Sequence, residues 1–184
     1  MIDKLFAALY ICFDEGERSV LSMIKQRNMT SVFLCCEDKT LLLYRQGSKV
    51  VNNVWIGSAG GHFEPEELND AGACVLRELK EELGIVREQL EDIKLRYIML
   101  RHVNGEVRVN YFFFAKLPGG LDMDLTSEEG RLQWFTHEEI KGLEMALSAK
   151  YALEHYLEEG RFNQTLYGGI ANGETVVFTE MPEW

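Results

Sequence analysis

The order of strand-like and helix-like segments predicts an α/β (α+β) fold, a sandwich with a mixed parallel and antiparallel sheet between helices. Two hairpin signals support this prediction. Residues 31–36 and 41–44 flank a turn at 37–39, and residues 95–103 and 106–116 flank Asn104-Gly105, a type I′ turn sequence. Leu76, Leu79 and Leu83 then mark one face of a helix between the hairpins, which leaves room for a parallel strand pair.

The remaining elements follow from local signals. Trp55 and Ile56 form a short strand, and Gly84 ends the helix that Asn69 or Asp70 begins. Thr136 and Glu139 have the spacing of a capping box for a helix over 137–143. A second helix is expected over 148–159, and a last strand or an edge hairpin at 175–179.

Three segments are expected along the chain: an N-terminal segment (1–28), one domain (29–159) and a C-terminal extension packed on it (160–184). The apolar run 5–13 is too short to span a bilayer. It lacks the basic start of a signal peptide, so a docked helix is the favoured interpretation. An alternative is that Met29 is the natural start. The helical stripe comprises Ile2, Leu5, Phe6, Leu9 and Phe13.

Composition excludes several classes of function. The chain has 184 residues and a formal net charge of −11, which argues against binding duplex nucleic acid. The four cysteines show no metal-binding spacing, so they indicate a reducing, cytoplasmic location. No apolar stretch is long enough to predict membrane insertion.

A cluster of acidic residues is the strongest functional signal. Glu78, Glu81 and Glu82 are three and four residues apart, so they share one helix face despite their mutual repulsion. A divalent cation such as Mg²⁺ removes that cost, because it prefers oxygen ligands and often bridges carboxylates to substrate phosphates. Upstream, Glu64 and Glu67 add oxygen donors, and the Gly60-Gly61 turn can bring a backbone carbonyl close. The alternative to a metal site is an ordinary solvent-exposed helix face that is rich in glutamate.

Residues 61–85 resemble the Nudix box, Gly-x5-Glu-x7-Arg-Glu-U-x-Glu-Glu-x-Gly-U, in which U is aliphatic. Nine residues separate Glu67 from Arg77, where the family pattern has seven. This insertion falls around residues 68–72 and leaves the later glutamates in register. The matching positions are Gly61, Glu67, Arg77, Glu78, Leu79, Glu81, Glu82, Gly84 and Ile85.

The resemblance implies a set of roles. Arg77 orients the carboxylates, the cofactor is Mg²⁺ with Mn²⁺ as the alternative, and one late acidic residue, Glu128 or Glu129, assists. The implied catalytic residues are Arg77, Glu78, Glu81 and Glu82. The implied metal-binding residues are Gly60, Glu67, Glu78, Glu81 and Glu82. The candidate substrate-binding residues are Arg45, Glu64, Arg101 and Glu128.

The implied activity is hydrolysis of a nucleoside diphosphate linked to another group. The MutT-like branch points to nucleoside triphosphates, oxidised ones included, cleaved to the monophosphate and diphosphate. ADP-ribose, sugar nucleotides and capped nucleotides stay open as substrates. The alternatives are a Nudix domain that binds a nucleotide as a sensor without cleaving it, and an interaction domain with an idle box. Many members dimerise, which makes residues 1–28 a candidate contact in a homodimer.

Overall fold

A computed structural model of the protein describes residues 25–46 and 53–183. Within these ranges, eight strands form one sheet. Their bounds are β1 Lys25–Cys36, β2 Lys39–Arg45, β3 Val54–Ile56, β4 Glu91–Val103, β5 Glu106–Lys116, β6 Gly130–Thr136, β7 Leu166–Ala171 and β8 Val176–Met181.

Three α-helices accompany the strands in the described part of the chain. They are α1 Ala71–Leu83, α2 His137–Ile140 and α3 Leu147–Glu158. Asp70 caps the start of α1, and Gly84 ends it in the left-handed conformation with φ 68°. The capping box of Thr136 and Glu139 starts α2 as predicted, although that helix ends three residues earlier than expected.

The sheet is mixed, with the order β3-β2-β1-β5-β4-β7-β8, and β6 pairs with β2. Its parallel pairs are β1 with β5 and β4 with β7. On one face, Val75, Leu79 and Leu83 of α1 pack against the sheet. On the other face, α3 covers a second apolar cluster that includes Phe33 and Phe112. The predicted arrangement of a mixed sheet between helices is therefore confirmed.

The structure also differs from the expected elements. β1 starts six residues before the predicted strand, because Lys25 to Thr30 pair in parallel with β5, a contact that hairpin signals do not reveal. The tail forms an edge hairpin, one of the two possibilities for it. The bounds of its first strand, β7, were not predicted because its two glycines hide the strand pattern, yet β7 joins β4 to β8 within the same sheet. Of the N-terminal segment 1–28, which was expected to be helical, residues 25–28 belong to β1 and residues 1–24 lie outside the described ranges.

Both hairpin predictions are confirmed. Asn104 and Gly105 both have positive φ, of 53° and 73°, as a type I′ turn requires. The aromatic run in β5 is covered on both faces, since Phe112, Phe113 and Phe114 are all buried. Within the described residues, no helix is long and apolar enough to cross a membrane.

Candidate active site

Helix α1 sets the direction in which its glutamates point. Leu79 and Leu83 are buried against the sheet, so Glu78 and Glu82 lie along the border of that buried stripe. Glu81 lies further round the helix, and its side chain is 57% exposed. Glu81 is therefore exposed to solvent, whereas Glu78 and Glu82 lie closer to the sheet.

Arg77 contacts three of the box glutamates. Glu67, Arg77 and Glu81 form what we call the brace, and Glu78 Oε1 also lies 2.9 Å from Arg77 Nη1. Arg77 Nε donates to Glu67 Oε1 at 2.7 Å, and its Nη1 donates to Glu81 Oε2 at 2.8 Å in an i, i+4 pair. The second oxygen of Glu67 accepts from Arg77 Nη2 and from the backbone N–H of Glu64. The Arg77 hydrogen bond lowers the pKa of Glu67 from 4.5 to about 2.

The Gly60-Gly61 turn brings backbone against the carboxylates. Gly60, with φ 150°, donates its N–H to Glu82 Oε2 at 3.1 Å. A side chain on Gly61 would collide with the carboxylate of Glu78, so only glycine lets that carboxylate lie against the turn. Thr30 donates its N–H to the Gly61 carbonyl, which fixes the turn to β1.

A second group of acids, which we call the cavity floor, consists of Glu78, Glu82 and Glu129. Burial raises the pKa of Glu82 from 4.5 to about 7, and burial likewise raises the pKa of Glu78. Arg45 Nη2 lies 3.0 Å from Glu129 Oε2 and donates to Glu129 Oε1 at 3.1 Å. Despite that short distance, Glu129 Oε2 is buried without a hydrogen bond of acceptable geometry. The cavity floor thus carries negative charge that the protein does not fully compensate.

A cavity of about 410 Å³ opens above this floor. It brings together most of the predicted site residues and adds Met29, His62, Phe63 and Glu129. The turn preceding β6 carries Glu129 into the cavity, whereas its neighbour Glu128 is exposed. The predicted residues that line the cavity are Arg45, Gly60, Glu64, Arg77, Glu78 and Glu82.

The other predicted residues lie elsewhere. Both oxygens of Glu67 are occupied in the brace, and Glu81 points away from the cavity with its carboxylate on Arg77. Arg101 lies on β4, outside the cavity lining. The two-residue insertion is absorbed in the turn at Leu68 and Asn69, before the helix begins, so it leaves Arg77 and the glutamates of α1 in place.

The donors of the cavity floor suit a hard divalent cation. Among the described residues, no three histidine, cysteine, aspartate or glutamate side chains are arranged to hold a metal by themselves. Mg²⁺ commonly takes only one or two carboxylates and completes its shell with water and substrate phosphates. Glu78 and Glu82, half-buried with an incomplete counter-charge, and Glu129 Oε2, which makes no hydrogen bond among the described residues, fit that pattern.

A larger cavity, about 570 Å³, lies at the opposite end of β1 and β2. Its lining includes Cys35, Lys39 and Tyr156 and contains none of the predicted site residues. Burial raises the pKa of the Cys35 thiol to about 11, which makes it a poor nucleophile. Size alone therefore does not identify the reactive site.

Comparison with known proteins agrees with this geometry. The chain is similar to the mutator MutT protein of Bacillus halodurans, with TM-score 0.59 and 22% identity over 86% of this chain and 99% of that one. It is also similar to a Nudix hydrolase of Nitrosomonas europaea, with TM-score 0.62 and 22% identity over 80% and 79%. The Ap4A hydrolase of C. elegans, in a binary complex, gives TM-score 0.60 and 18% identity over 74% and 99%.

Because the sequence identities are this low, the similarity to these structures establishes the fold alone. Among curated protein sequences, none matches this chain significantly. The sequence model of the NUDIX domain family, however, matches residues 25–156, which is most of the chain. The protein therefore belongs to the Nudix hydrolase family, as the resemblance of residues 61–85 predicted.

Proposed function

We propose that the protein is an Mg²⁺-dependent pyrophosphohydrolase. Its substrate is a nucleoside diphosphate linked to another group, and a nucleoside triphosphate, oxidised ones included, is the form we favour. Water adds to one phosphorus, the bond from that phosphorus to the bridging oxygen breaks, and the bridging oxygen leaves on the other phosphate. A nucleoside triphosphate would yield the monophosphate and diphosphate.

The observation that carries this proposal is the incompletely compensated charge of the cavity floor. Glu78 and Glu82 are half-buried near Glu129, and the three residues line one cavity together with Arg45. Burying like charges without counter-ions is costly, so such a cluster favours a bound cation. A divalent cation there would neutralise diphosphate oxygens and promote ionisation of the attacking water.

The chain's own residues have separable tasks in this proposal. Glu78 and Glu82 hold the cation, and Arg45 binds a phosphate oxygen of the substrate. Glu129 is the proposed acceptor for the proton of the attacking water; its Oε2 lies 3.0 Å from Arg45 Nη2 but makes no hydrogen bond among the described residues. Glu67 and Arg77 act as positioning residues, because Arg77 contacts Glu67, Glu78, Glu81 and the carbonyl of His62.

A nucleotide panel tests the proposal. Nucleoside triphosphates, oxidised triphosphates, ADP-ribose, sugar nucleotides, capped nucleotides and diadenosine tetraphosphate are each incubated with Mg²⁺, with Mn²⁺ and with EDTA. We expect metal-dependent release of a monophosphate from at least one compound, and its loss in Glu82→Gln. Tight nucleotide binding without cleavage would instead favour the sensor alternative. The absence of both binding and cleavage would favour an interaction domain whose Nudix box is inactive.

A further inference from the structure

We propose that three arginines beside the cavity bind an anionic group of the substrate that is separate from the diphosphate being cleaved. The residues are Arg27, Arg108 and Arg101, which we call the arginine row. The substrate class is then narrowed to nucleoside diphosphate derivatives that carry a further phosphate or carboxylate outside the diphosphate being cleaved. This inference rests on the proposed function for its substrate, but not for the presence of an anion site.

The strand register places the three arginines side by side. Arg27 of β1 is the cross-strand partner of Arg108 of β5, and Arg108 is the partner of Arg101 of β4. Directly opposed residues point to the same face of a sheet, and adjacent strands are about 4.8 Å apart, so the row extends roughly 10 Å. Met99, two residues before Arg101, places the row on the face that α3 covers.

Among residues 25–46 and 53–183, the row has too little negative charge to balance it. Glu106 is its ion-pair partner there, with Oε1 3.2 Å from Arg27 Nε and Oε2 2.7 Å from Arg108 Nε. Guanidinium groups stay protonated in proteins, so in this part of the chain one carboxylate faces three positive charges. Like charges directly opposite each other on neighbouring strands are destabilising. Such an arrangement is unexpected in a chain of net charge −11 unless an anion joins it.

Arg101 is the least compensated member. Its Nε is buried and has no hydrogen-bond partner among the described residues, and burial together with the charge of Arg108 lowers its pKa. Asn110 Oδ1 is also buried and finds no partner in the described part of the chain, and Asn110 lies on the same face as the partner of Met99. A ligand that offers an acceptor to Arg101 and a hydroxyl donor to Asn110 would satisfy both, as a phosphorylated sugar does.

The row begins at the edge of the candidate active site. Arg27 Nη1 donates to His62 Nε2 at 3.3 Å, and His62 lines the cavity directly after Gly61. Met29, which also lines the cavity, forms a β-bridge with His62. His62 therefore joins Arg27, the first member of the row, to the cavity lining, and in this proposal the substrate extends past His62 towards the row.

Arg96, which lies on β4 like Arg101, is an arginine with a structural role. It is 4% exposed, and its Nε and Nη2 donate to the carbonyls of Gly160 and Thr165 and to Asn163 Oδ1. These contacts tie β4 to the loop after α3. Arg101 has no equivalent contacts among the described residues, which makes the two arginines a matched pair for experiment.

The first test measures stability without any substrate or metal. In EDTA we expect Arg101→Met to raise Tm by roughly 2–4 °C, because it removes a half-buried charge and its repulsion from Arg108. Arg96→Met should lower Tm. Inorganic pyrophosphate should stabilise the wild type more than Arg101→Met, compared with sodium chloride at equal ionic strength. A fall in Tm for both variants, with equal pyrophosphate effects, would show that Arg101 is structural.

The second test uses substrate pairs that differ by one phosphate: NADPH against NADH, and coenzyme A against dephosphocoenzyme A. We expect kcat/KM to be higher for the phosphorylated member, and Arg101→Met to reduce that preference about tenfold, mainly through KM. Arg87→Met, whose side chain lies outside the row, is the control of equal charge change and should keep the preference.

The two tests separate failure of this inference from failure of the proposed function. If no compound is hydrolysed with any divalent metal, the proposed function fails, and the stability test still decides whether the row binds anions. If hydrolysis is robust but wild type and Arg101→Met show the same preference within each pair, the inference is wrong and the proposed function stands.

Discussion

The brace and the cavity floor use the same residue type, glutamate, in opposite ways. In the brace, Glu67 and Glu81 share the guanidinium of Arg77, and the pKa of Glu67 falls to about 2. In the cavity floor, Glu82 is half-buried, its hydrogen-bond partner among the described residues is the backbone N–H of Gly60, and its pKa rises to about 7. A compensated carboxylate stabilises the fold, whereas an uncompensated one favours binding of a cation, so the comparison separates scaffold from chemistry.

The largest expected effect comes from the cavity floor. Glu82→Gln should reduce kcat/KM about 10³-fold, because the cation and the charge it stabilises lose a ligand. Stability should stay the same or rise, since a neutral amide replaces a buried charge. Steady-state kinetics and urea denaturation measure the two effects. Glu88→Gln, at an exposed position, is the control, and near wild-type activity of Glu82→Gln would contradict the assignment.

In the brace, by contrast, a substitution should reduce the stability of the fold. Arg77→Met leaves Glu67 buried without its cation, so the free energy of unfolding should fall by about 3 kcal/mol. Activity should also fall, because Glu78 and Glu81 lose the contact that orients them. Urea denaturation measures the loss. The control is Lys141→Met, which removes an exposed ion pair with Glu138 and should lower the free energy of unfolding by less than ~0.5 kcal/mol. Equal losses of stability in the two variants would show that the brace stabilises the fold no more than an exposed ion pair does.

Acid should weaken the brace. Because the pKa of Glu67 is lower in the folded protein than its ordinary 4.5, its contribution is complete above that value and is lost as pH falls towards about 2. Solvent reaches Arg77 on one side, so the loss should be about 1–2 kcal/mol. Unfolding followed between pH 5 and 2 should show a shallower dependence in Glu67→Gln. An unchanged slope would mean that other carboxylates dominate.

The smallest expected effect lies at the start of the helix that carries both groups. Asp70 Oδ1 accepts the N–H of Ala73 at 2.9 Å, so Asp70→Ala should cost about 1 kcal/mol of stability. The chemistry should not change, because Asp70 lies outside the cavity. Thermal unfolding and kcat measure the two, with Asn69→Ala as the control. A large fall in kcat would contradict this expectation, because it would show that loss of the cap disturbs the site residues carried by α1.

Local signals were sufficient for much of the fold and for the helix that carries the site. Asp70, Gly84, Thr136 and Asn104-Gly105 act through their own backbone conformation, which is why their positions could be predicted. β7 escaped prediction because its glycines contribute no side-chain pattern, and its pairing with β4 joins residues far apart in sequence. The choice between Glu128 and Glu129 likewise depends on how the turn before β6 meets Arg45.

The sequence by itself determined the family and the helix face on which Glu78, Glu81 and Glu82 lie, because both depend on spacing along the chain. Only the tertiary structure decided which carboxylates keep their charge uncompensated. Burial and ion pairing come from residues distant in sequence, such as Gly60 against Glu82 and Arg45 against Glu129. The same holds for Arg27, Arg108 and Arg101, which only the strand register brings together.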